Sequence, residues 1–593
     1  MTNIEIARLL RNIAAAYIIK NEKKFRFQIT AYQKAADMID HSVSELQDLF
    51  KENKLDTLPG IGASIKSHLE ELFTHGKVRH FEEVLQDIPE AIFPLLDVHG
   101  FGPKKAYKLV SEYKLSNPET VIADLEKIAQ KGKIAGLEGF GEKSEQDIIT
   151  SIQEYWLGKT KASRMVLPYA NELAKRMVEY LMKSKFVLSA CALGSLRRKV
   201  ATIGDIDIAA VSNQPQAVLD HFVNFPGKER LIEHGSMTAS ILVSSGRQID
   251  LMVASPEGFG SLLQHFTGSK AHNIHLREYA LSKGLSLSEY GIKEKNEIGE
   301  VRMEKYDTEE KFYQALGLSW IPPEIRENTG EIELAVKHDL PKLIELSEIK
   351  GDLHLHSSYP IQPSHDLGKS SMQEIIEKAI SLKYEYMGFS EHNPSQSKHK
   401  LQQNIDILGK RSKFIDLLKS QYKNCIQIFS LLEIDILPNG NLAIDNQCLE
   451  LLDCAIVSVH SAFDLDKKTM TKRVLKGLSH PKAKILGHPT GRLFNQRPGY
   501  ELDWDQIFDF CKTNKKALEI NSWFLRLDLP DILVREAVKK GVTLVINTDS
   551  HAVSQMDFME YGISVARRGW AKNNDILNTK TYNEIKEWFR GGE

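Results

Sequence analysis

The chain has 593 residues, enough for several domains, and its 42% hydrophobic and 26% charged content fits soluble globular cores rather than disorder. The longest apolar runs, such as Cys454-Ala455-Ile456-Val457, are far too short to span a bilayer, and a net charge of −2 exerts no overall pull toward nucleic acid. Five cysteines (Cys191, Cys425, Cys448, Cys454, Cys511) are scattered without a CxxC, which argues against a disulfide framework and fits a reducing compartment.

The N-terminus reads as a helix and not as a signal peptide. Ile6, Leu9, Leu10, Ile13 and Tyr17 recur at helical spacing, with Glu5, Arg8 and Arg11 between them. A short pattern then repeats three times about 40 residues apart. It appears as Leu58-Pro59-Gly60-Ile61-Gly62, Val98-His99-Gly100-Phe101-Gly102 and Leu137-Glu138-Gly139-Phe140-Gly141. Two glycines around one apolar residue allow a hairpin whose backbone N–H groups point outward, and the helix that follows favours an anion at its N-terminus. One copy would read as an ordinary helix–helix turn. Three copies, each followed by a lysine-bearing helix (Lys104 after the second), predict a helix-hairpin-helix grip on the DNA backbone.

From about residue 165 strands mix with helices. Ile206–Val211 and Gln248–Val253 are expected strands. The string Gly194-Ser195-Leu196-Arg197-Arg198 is followed by Thr202-Ile203-Gly204-Asp205-Ile206-Asp207. Asp205 and Asp207 alternate and so share a face, and Asp250 lies on a later strand. Carboxylates brought together repel, and divalent cations relieve that cost. Three of them suit a two-metal site for in-line phosphoryl transfer. Gly194-Ser195 offers a tight turn with backbone donors, and Arg198 offers charge-assisted bonds to phosphate.

This region ends near Trp320-Ile321-Pro322-Pro323, and the charged stretch 324–348 reads as a linker with a helix or two. Beyond it, short apolar strands alternate with amphipathic helices, which predicts a parallel α/β barrel with its site at the C-terminal strand ends. There the sequence places His354 and His356 (HxH), His392, Glu433, His460, His488, and Asp549 with His551 (DxH). Eight nitrogen and oxygen ligands exceed one ion's needs and imply a cluster of two or three metals.

The glycine-serine, double-arginine and Gly-Asp-x-Asp elements, continued by Phe266-Thr267-Gly268-Ser269, Asn273, Arg277 and Glu289-Tyr290, resemble family X DNA polymerases of the polymerase beta type. The C-terminal half resembles the PHP (polymerase and histidinol phosphatase) family, and Gly487-His488-Pro489-Thr490-Gly491-Arg492 and Glu519-Ile520-Asn521 match members fused to bacterial family X polymerases. The resemblance implies a multidomain chain. It would comprise an N-terminal helical DNA-binding domain (1–85), a fingers-like helical domain (86–160), an α+β nucleotidyltransferase palm (161–258) and a thumb-like subdomain (259–323). A linker (324–348) and a C-terminal α/β PHP barrel, a distorted β/α barrel (349–593), would follow.

By the same resemblance Asp205, Asp207 and Asp250 would carry Mg2+ or Mn2+. Arg164, Gly194, Ser195, Arg198 and Gly204 would hold the triphosphate. Phe266 and Gly268 would pack under its sugar, and Asn273 would meet the incoming nucleotide from the minor-groove side. Arg277 would lie along the template. Val98, Gly100, Gly102 and Lys104 would grip the primer backbone, and Gly60 and Gly62 the strand downstream of a gap. The PHP residues would bind two or three Mn2+ or Zn2+ ions, with iron a further option. The implied activity is short-gap filling in DNA repair joined to 3′→5′ phosphodiester hydrolysis. Its expected substrates are gapped or primer–template DNA and deoxynucleoside triphosphates. The expected protein is a cytoplasmic monomer with no membrane partner.

Three departures are visible. His265 replaces the tyrosine before Phe-Thr-Gly. His68 stands where a Schiff-base lysine would lie, with Lys66 two residues earlier, and an imidazole cannot form that imine. Ile361 occupies the position of the PHP aspartate that usually follows HxH. Either a longer loop brings His365 or Asp366 into the cluster, or a ligand is lost. Two alternatives therefore stay open: a polymerase on a structural, catalytically weak PHP scaffold, and a hydrolase that uses the N-terminal half only to bind DNA.

Overall fold

The computed structural model describes all residues except 2, 41–45, 47–49, 51–54, 56–60, 99, 157–163, 244–246, 296–300, 397, 495–498 and 592–593. The chain divides into two compact bodies, Met1–Ser163 and Arg164–Glu593. No helix among the described residues is long and apolar enough to cross a membrane.

The first body is helical. Its opening helix Asn3–Asn21 buries Ile6, Leu10, Ile13 and Tyr17, a stripe at i, i+4, i+7, i+11, and leaves Glu5 and Arg8 outward. The hairpin around Leu58, Pro59 and Gly60 lies outside the described residues, so Gly60 has no structural account. Gly62 begins the helix Ala63–His75. The other two copies share one geometry. Gly100 and Gly139 take φ of 74° and 82°, a left-handed turn that favours glycine. Phe101 N–H donates to Val98 O, and Phe140 N–H to Leu137 O. Helices Pro103–Glu112 and Glu142–Trp156 begin directly after the second glycine of each. Lys104 pairs with Glu22 at 2.7 Å on the exposed surface.

The second body opens with a five-stranded sheet: β1 (Ser189–Ala192), β2 (Ile206–Val211), β3 (Lys228–His234), β4 (Thr238–Val243) and β5 (Arg247–Ala254), in the order β1-β2-β5-β4-β3. β5 alternates strictly at first. Ile249, Leu251 and Val253 enter the core, while Gln248 and Asp250 face the other way. A helical segment with a three-stranded meander (Leu285–Ser288, Gly291–Lys295, Val301–Glu304) follows.

The stretch 324–348 is packed rather than a loose tether. Ile325, Arg326, Glu331 and Ile332 are buried, with Arg326 on Glu309 at 2.6 Å and Glu331 on His272 at 2.7 Å. Its charges look like a solvated linker in sequence because the partners that let them be buried lie far away along the chain.

The C-terminal part is a run of seven parallel strands: β6 (Gly351–Leu355), β7 (Tyr386–Phe389), β8 (Gln427–Asp435), β9 (Cys454–Ser458), β10 (Ala483–Leu486), β11 (Ala517–Asn521) and β12 (Thr543–Asn547). Each pairs with the next in sequence. A parallel bridge from Leu355 to Ser550 and the Thr548–Asp352 hydrogen bond bring the last strand back to the first, nearly closing a barrel. All seven strands are buried along most or all of their length, as parallel strands covered by helices must be.

Two candidate metal centres

The palm site is built on strand register. β2 and β5 run parallel with Asp207 directly opposite Asp250, and Asp205 sits one residue before β2 begins. Burial, then the neighbouring Asp205 and Asp250, push the Asp207 carboxyl up to about 7, against the pull of Arg198. Gly194 makes the crowding feasible. Its φ is 57°, and a Cβ there would lie 2.2 Å from Asp207 Oδ2. Gln248 donates its amide to both oxygens of Asp250, at 2.9 and 3.1 Å. Sequence reading missed Gln248, although its i−2 position on an alternating strand places it on the same face.

The other expected nucleotide residues have the following partners. Arg164 is anchored on Thr202, beside Gly204, with bonds of 2.7–3.2 Å. Ser195 lies in the short turn of helix Gly194–Arg197. Arg198 donates to Glu327 at 3.0 Å and to the Thr267 carbonyl, and Gly268 lets it pass at close range. Phe266 packs near Leu193 and Ala209. Asn273 is held by Gln264 at 2.8 Å and donates to the His265 carbonyl at 2.7 Å, while Arg277 is exposed. The neighbouring Arg197, which was not singled out as a ligand, forks onto Glu309. Burial pushes the Glu309 carboxyl up, but Arg326 and Arg197 outweigh it and hold it down at about 2.

The barrel gathers all eight expected ligands at its C-terminal strand ends. His354, His356, Glu433 and Asp549 form one group; His392, Glu433 and His460 form a second; His356, His392 and His551 form a third. His488 joins the second, its Nε2 2.8 Å from Glu433 Oε1. His354 Nε2, His356 Nε2, His392 Nδ1, Glu433 Oε2, Asp549 Oδ1 and His551 Nε2 are buried without a hydrogen bond of sound geometry. A cluster of buried orphan atoms costs free energy unless something binds it, and imidazoles with carboxylates fit divalent transition metals. Two ligands have strained backbones: φ is 27° at His488 and 54° at Asp549.

Ile361 is fully buried in the hydrophobic core, so no ligand sits at that position. The nearest acid of the loop after β6 is the exposed Asp366. Its carboxylate lies 3.4 Å from both His392 Nε2 and His551 Nε2. His365 turns to Asp435 at 3.0 Å.

A supporting layer was not assigned from the sequence, although the Glu519-Ile520-Asn521 segment stood out there. Glu519 accepts from His354 Nδ1 at 2.7 Å, from the His488 backbone N–H at 2.8 Å and from Asn547 at 2.9 Å. Asp435 holds His460 Nδ1 at 2.7 Å. Such carboxylates fix ring orientation and raise ligand basicity.

In the first body, His68 does occupy a buried-side niche. Tyr32 bonds its Nδ1 at 3.0 Å and His80 stacks on it at 4.9 Å. Burial, then His80, push the His68 imidazole down, toward its neutral form.

Comparison with known proteins agrees with this geometry. Family models match a helix-hairpin-helix domain over residues 1–78, a DNA polymerase beta thumb over 262–327 and a PHP domain over 352–523. The DNA polymerase/3'-5' exonuclease PolX of Bacillus subtilis (strain 168) is 34% identical over 591 residues, covering 99% of both chains. DNA polymerase lambda of Arabidopsis thaliana is 24% identical over 329 residues, covering 50% of this chain and 57% of its own. A probable phosphatase of Caldicellulosiruptor bescii is 28% identical over 137 residues, 22% of this chain and 54% of its own. With similarity at that level along the whole chain, and with the three matched segments in this order, the chain belongs to the family X DNA polymerases that carry a C-terminal PHP domain.

Proposed function

We propose that the chain is a DNA-directed DNA polymerase that fills short gaps and trims 3′ ends with a 3′→5′ exonuclease in its barrel. The observation that carries the polymerase reading is the register that sets Asp207 opposite Asp250 beside Asp205, with Gly194 cleared for the carboxylate. These three acids would hold Mg2+ or Mn2+. Ions held there supply Lewis-acid activation of a primer 3′-hydroxyl and neutralise charge on the triphosphate. Gln248 keeps the Asp250 carboxylate turned toward the cluster. Arg164, Ser195 and Arg198 line the place for the triphosphate. Phe266, Gly268 and Asn273 are set to shape the nucleotide pocket, and Arg277 is exposed toward a template strand. The hairpins around Val98, Gly100 and Gly102 present backbone N–H groups to phosphates.

The barrel residues would hold two or three ions, with Mn2+, Zn2+ and iron all compatible with the donors. Such ions supply a nucleophile at neutral pH and a clamp on the scissile phosphate. Glu519 and Asp435 hold the His354 and His460 rings by their Nδ1 atoms, which leaves Nε2 to face the ions. Asp366, 3.4 Å from both His392 and His551, would add a carboxylate beside the third group, which favours an active nuclease over a scaffold.

The test is a gapped duplex whose primer is labelled at its 5′ end, incubated with Mg2+ or Mn2+, with and without deoxynucleotides. Asp205→Ala/Asp207→Ala should abolish extension and spare shortening; His356→Ala should do the reverse. Asp366→Asn should lose about one equivalent of bound metal by elemental analysis and slow shortening roughly 10- to 100-fold. Absence of extension by the unaltered protein would refute the polymerase reading. Shortening that survives His356→Ala would refute the barrel as the nuclease.

A further inference from the structure

The helix Met559–Arg568 belongs to the barrel, and its C-terminal end reaches into the polymerase part. On one side Gly562 packs so tightly on Ser522, just past β11, that a Cβ would lie 2.0 Å from the serine hydroxyl. At the other end Arg567 donates to Glu324 at 2.8 Å and to the Ile344 carbonyl at 3.0 Å. Trp570 is buried in the same apolar cluster as Phe312 and Ile325.

Arg568 makes the contact of greatest consequence. Its NH1 donates to Glu327 Oε1 at 2.9 Å and to the backbone carbonyl of Arg198 at 2.9 Å. Its other guanidinium nitrogens bind Asp531 at 2.7 Å. Glu327 Oε1 is also the oxygen that receives Arg198 Nε, at 3.0 Å. Two guanidiniums therefore share one carboxylate oxygen. Arg568 is anchored behind by Asp531, whereas Arg198 leads toward the carboxylate cluster. Arg198 also faces the like charge of buried Arg326, whose own partner is Glu309. Each guanidinium that Glu327 keeps from the barrel side lessens its hold on Arg198.

We propose that Arg568, a residue of the PHP barrel, is a positioning residue for nucleotidyl transfer: by sharing Glu327 it weakens that carboxylate's hold on Arg198, so that Arg198 turns more readily to the triphosphate. This rests on the reading of Arg198 as a triphosphate ligand. The barrel then serves the polymerase directly, independent of its own hydrolytic chemistry. Loss of the Arg568 charge leaves Arg198 as the main cation for Glu327 and ties it back from the nucleotide.

The experiment is steady-state gap filling by the full-length protein with Mg2+ and one complementary deoxynucleoside triphosphate, with exonuclease rate and melting temperature as fold controls. Arg568→Gln should raise the nucleotide KM about fivefold, the low end of coupling between sites, with kcat within about twofold. Glu327→Gln should lower KM below that of the unaltered protein. The double variant Arg568→Gln/Glu327→Gln should recover to the Glu327→Gln value, because the competing carboxylate is gone. A double variant as impaired as Arg568→Gln alone would overturn the proposal, since a lost fold or a lost distant charge would not be rescued. If Arg568→Gln does not fold, Glu327→Gln decides: an unchanged or raised KM overturns it. Arg198→Ala separates the two levels. A raised KM there with an unchanged one in Arg568→Gln overturns the coupling alone, whereas an unchanged KM in Arg198→Ala removes the triphosphate reading and the proposal with it.

Discussion

Gly194→Ala is the sharpest test of how the palm site is made. The new methyl carbon would sit 2.2 Å from Asp207 Oδ2, 3.2 Å from its Cγ and 3.6 Å from its Cβ, so its three nearest atoms all belong to that side chain. An ordinary carbon–oxygen contact needs more than about 3 Å, so the carboxylate must withdraw by roughly 1 Å. The positive φ of 57° adds about 1–2 kcal/mol of backbone cost for any residue with a Cβ. Because the obstructing atom is the tip of a side chain, the fold absorbs the change and the displaced group is the metal-binding acid itself. A 1 Å misplacement of a reacting group costs about 100-fold in rate. The expected outcome is a gap-filling kcat lower by about that factor, with a melting temperature a few degrees lower, roughly what 1–2 kcal/mol produces. Exonuclease on the same preparation should be unchanged, since Asp207 lies on a different sheet from the barrel ligands. Primer extension and shortening, read on one gel across a Mg2+ titration, measure both. Extension within threefold of the unaltered protein would refute the claim that Gly194 is there to admit Asp207.

Other outcomes follow from the same geometry. Glu519→Gln keeps the shape but weakens the acceptor for His354, so the barrel's metal affinity and nuclease rate should fall about 10- to 100-fold while extension is spared; metal titration of each activity checks this. Asp207 holds a proton up to about 7 when metal-free, so at pH 6 only about a tenth is ionised and Mg2+ should bind about tenfold more weakly than at pH 8, as isothermal titration would show. The sign for stability is opposite to that of a paired carboxylate. Its raised pKa means the metal-free fold loses stability as pH rises from about 4 to about 7, and saturating Mg2+ should flatten that slope in thermal melts. Chelation should lower the melting temperature of the full-length protein, because it returns buried His354, His356, Glu433 and Asp549 atoms to their orphaned state, and Mn2+ should restore it.

The parts of the molecule legible in sequence are those whose signal is local. Alternation placed β2 and β5, and it put Asp207 and Asp250 on one face; their direct opposition across the parallel pair is a register no single strand encodes. Apolar strands followed by histidines and acids pointed to eight side chains that the barrel does bring together, because each strand end is short and its periodicity is clear. Glu519 and Asp435 were missed as supports because they look like any acid within an apolar strand, and their role exists only through rings on other strands. The segment 324–348 misread as a linker for a related reason. Charge content signals solvent exposure unless the partner is known, and the partners of Arg326 and Glu331 are Glu309 and His272.

Asp366 shows how a loop can bring an acid to a site from a sequence position that strand spacing does not predict. A metal group constrains where an oxygen lies in space, and strand residues meet that constraint at fixed sequence spacing while loop residues do not. The loop after β6 is pinned at its ends: Ser358 N–H donates to Ser370 O at 2.8 Å, and Lys369 N–H to His551 O at 2.7 Å. Gly368 lets the returning chain pass against the strand end, where a Cβ would meet the His356 carbonyl at 2.1 Å. Between those pins Ile361 packs into the core. The pinned return brings the exposed Asp366, two residues before Gly368, to 3.4 Å from both His392 and His551. Ile361 at the usual aspartate position therefore does not leave the histidines without a nearby carboxylate, and the scaffold reading loses force.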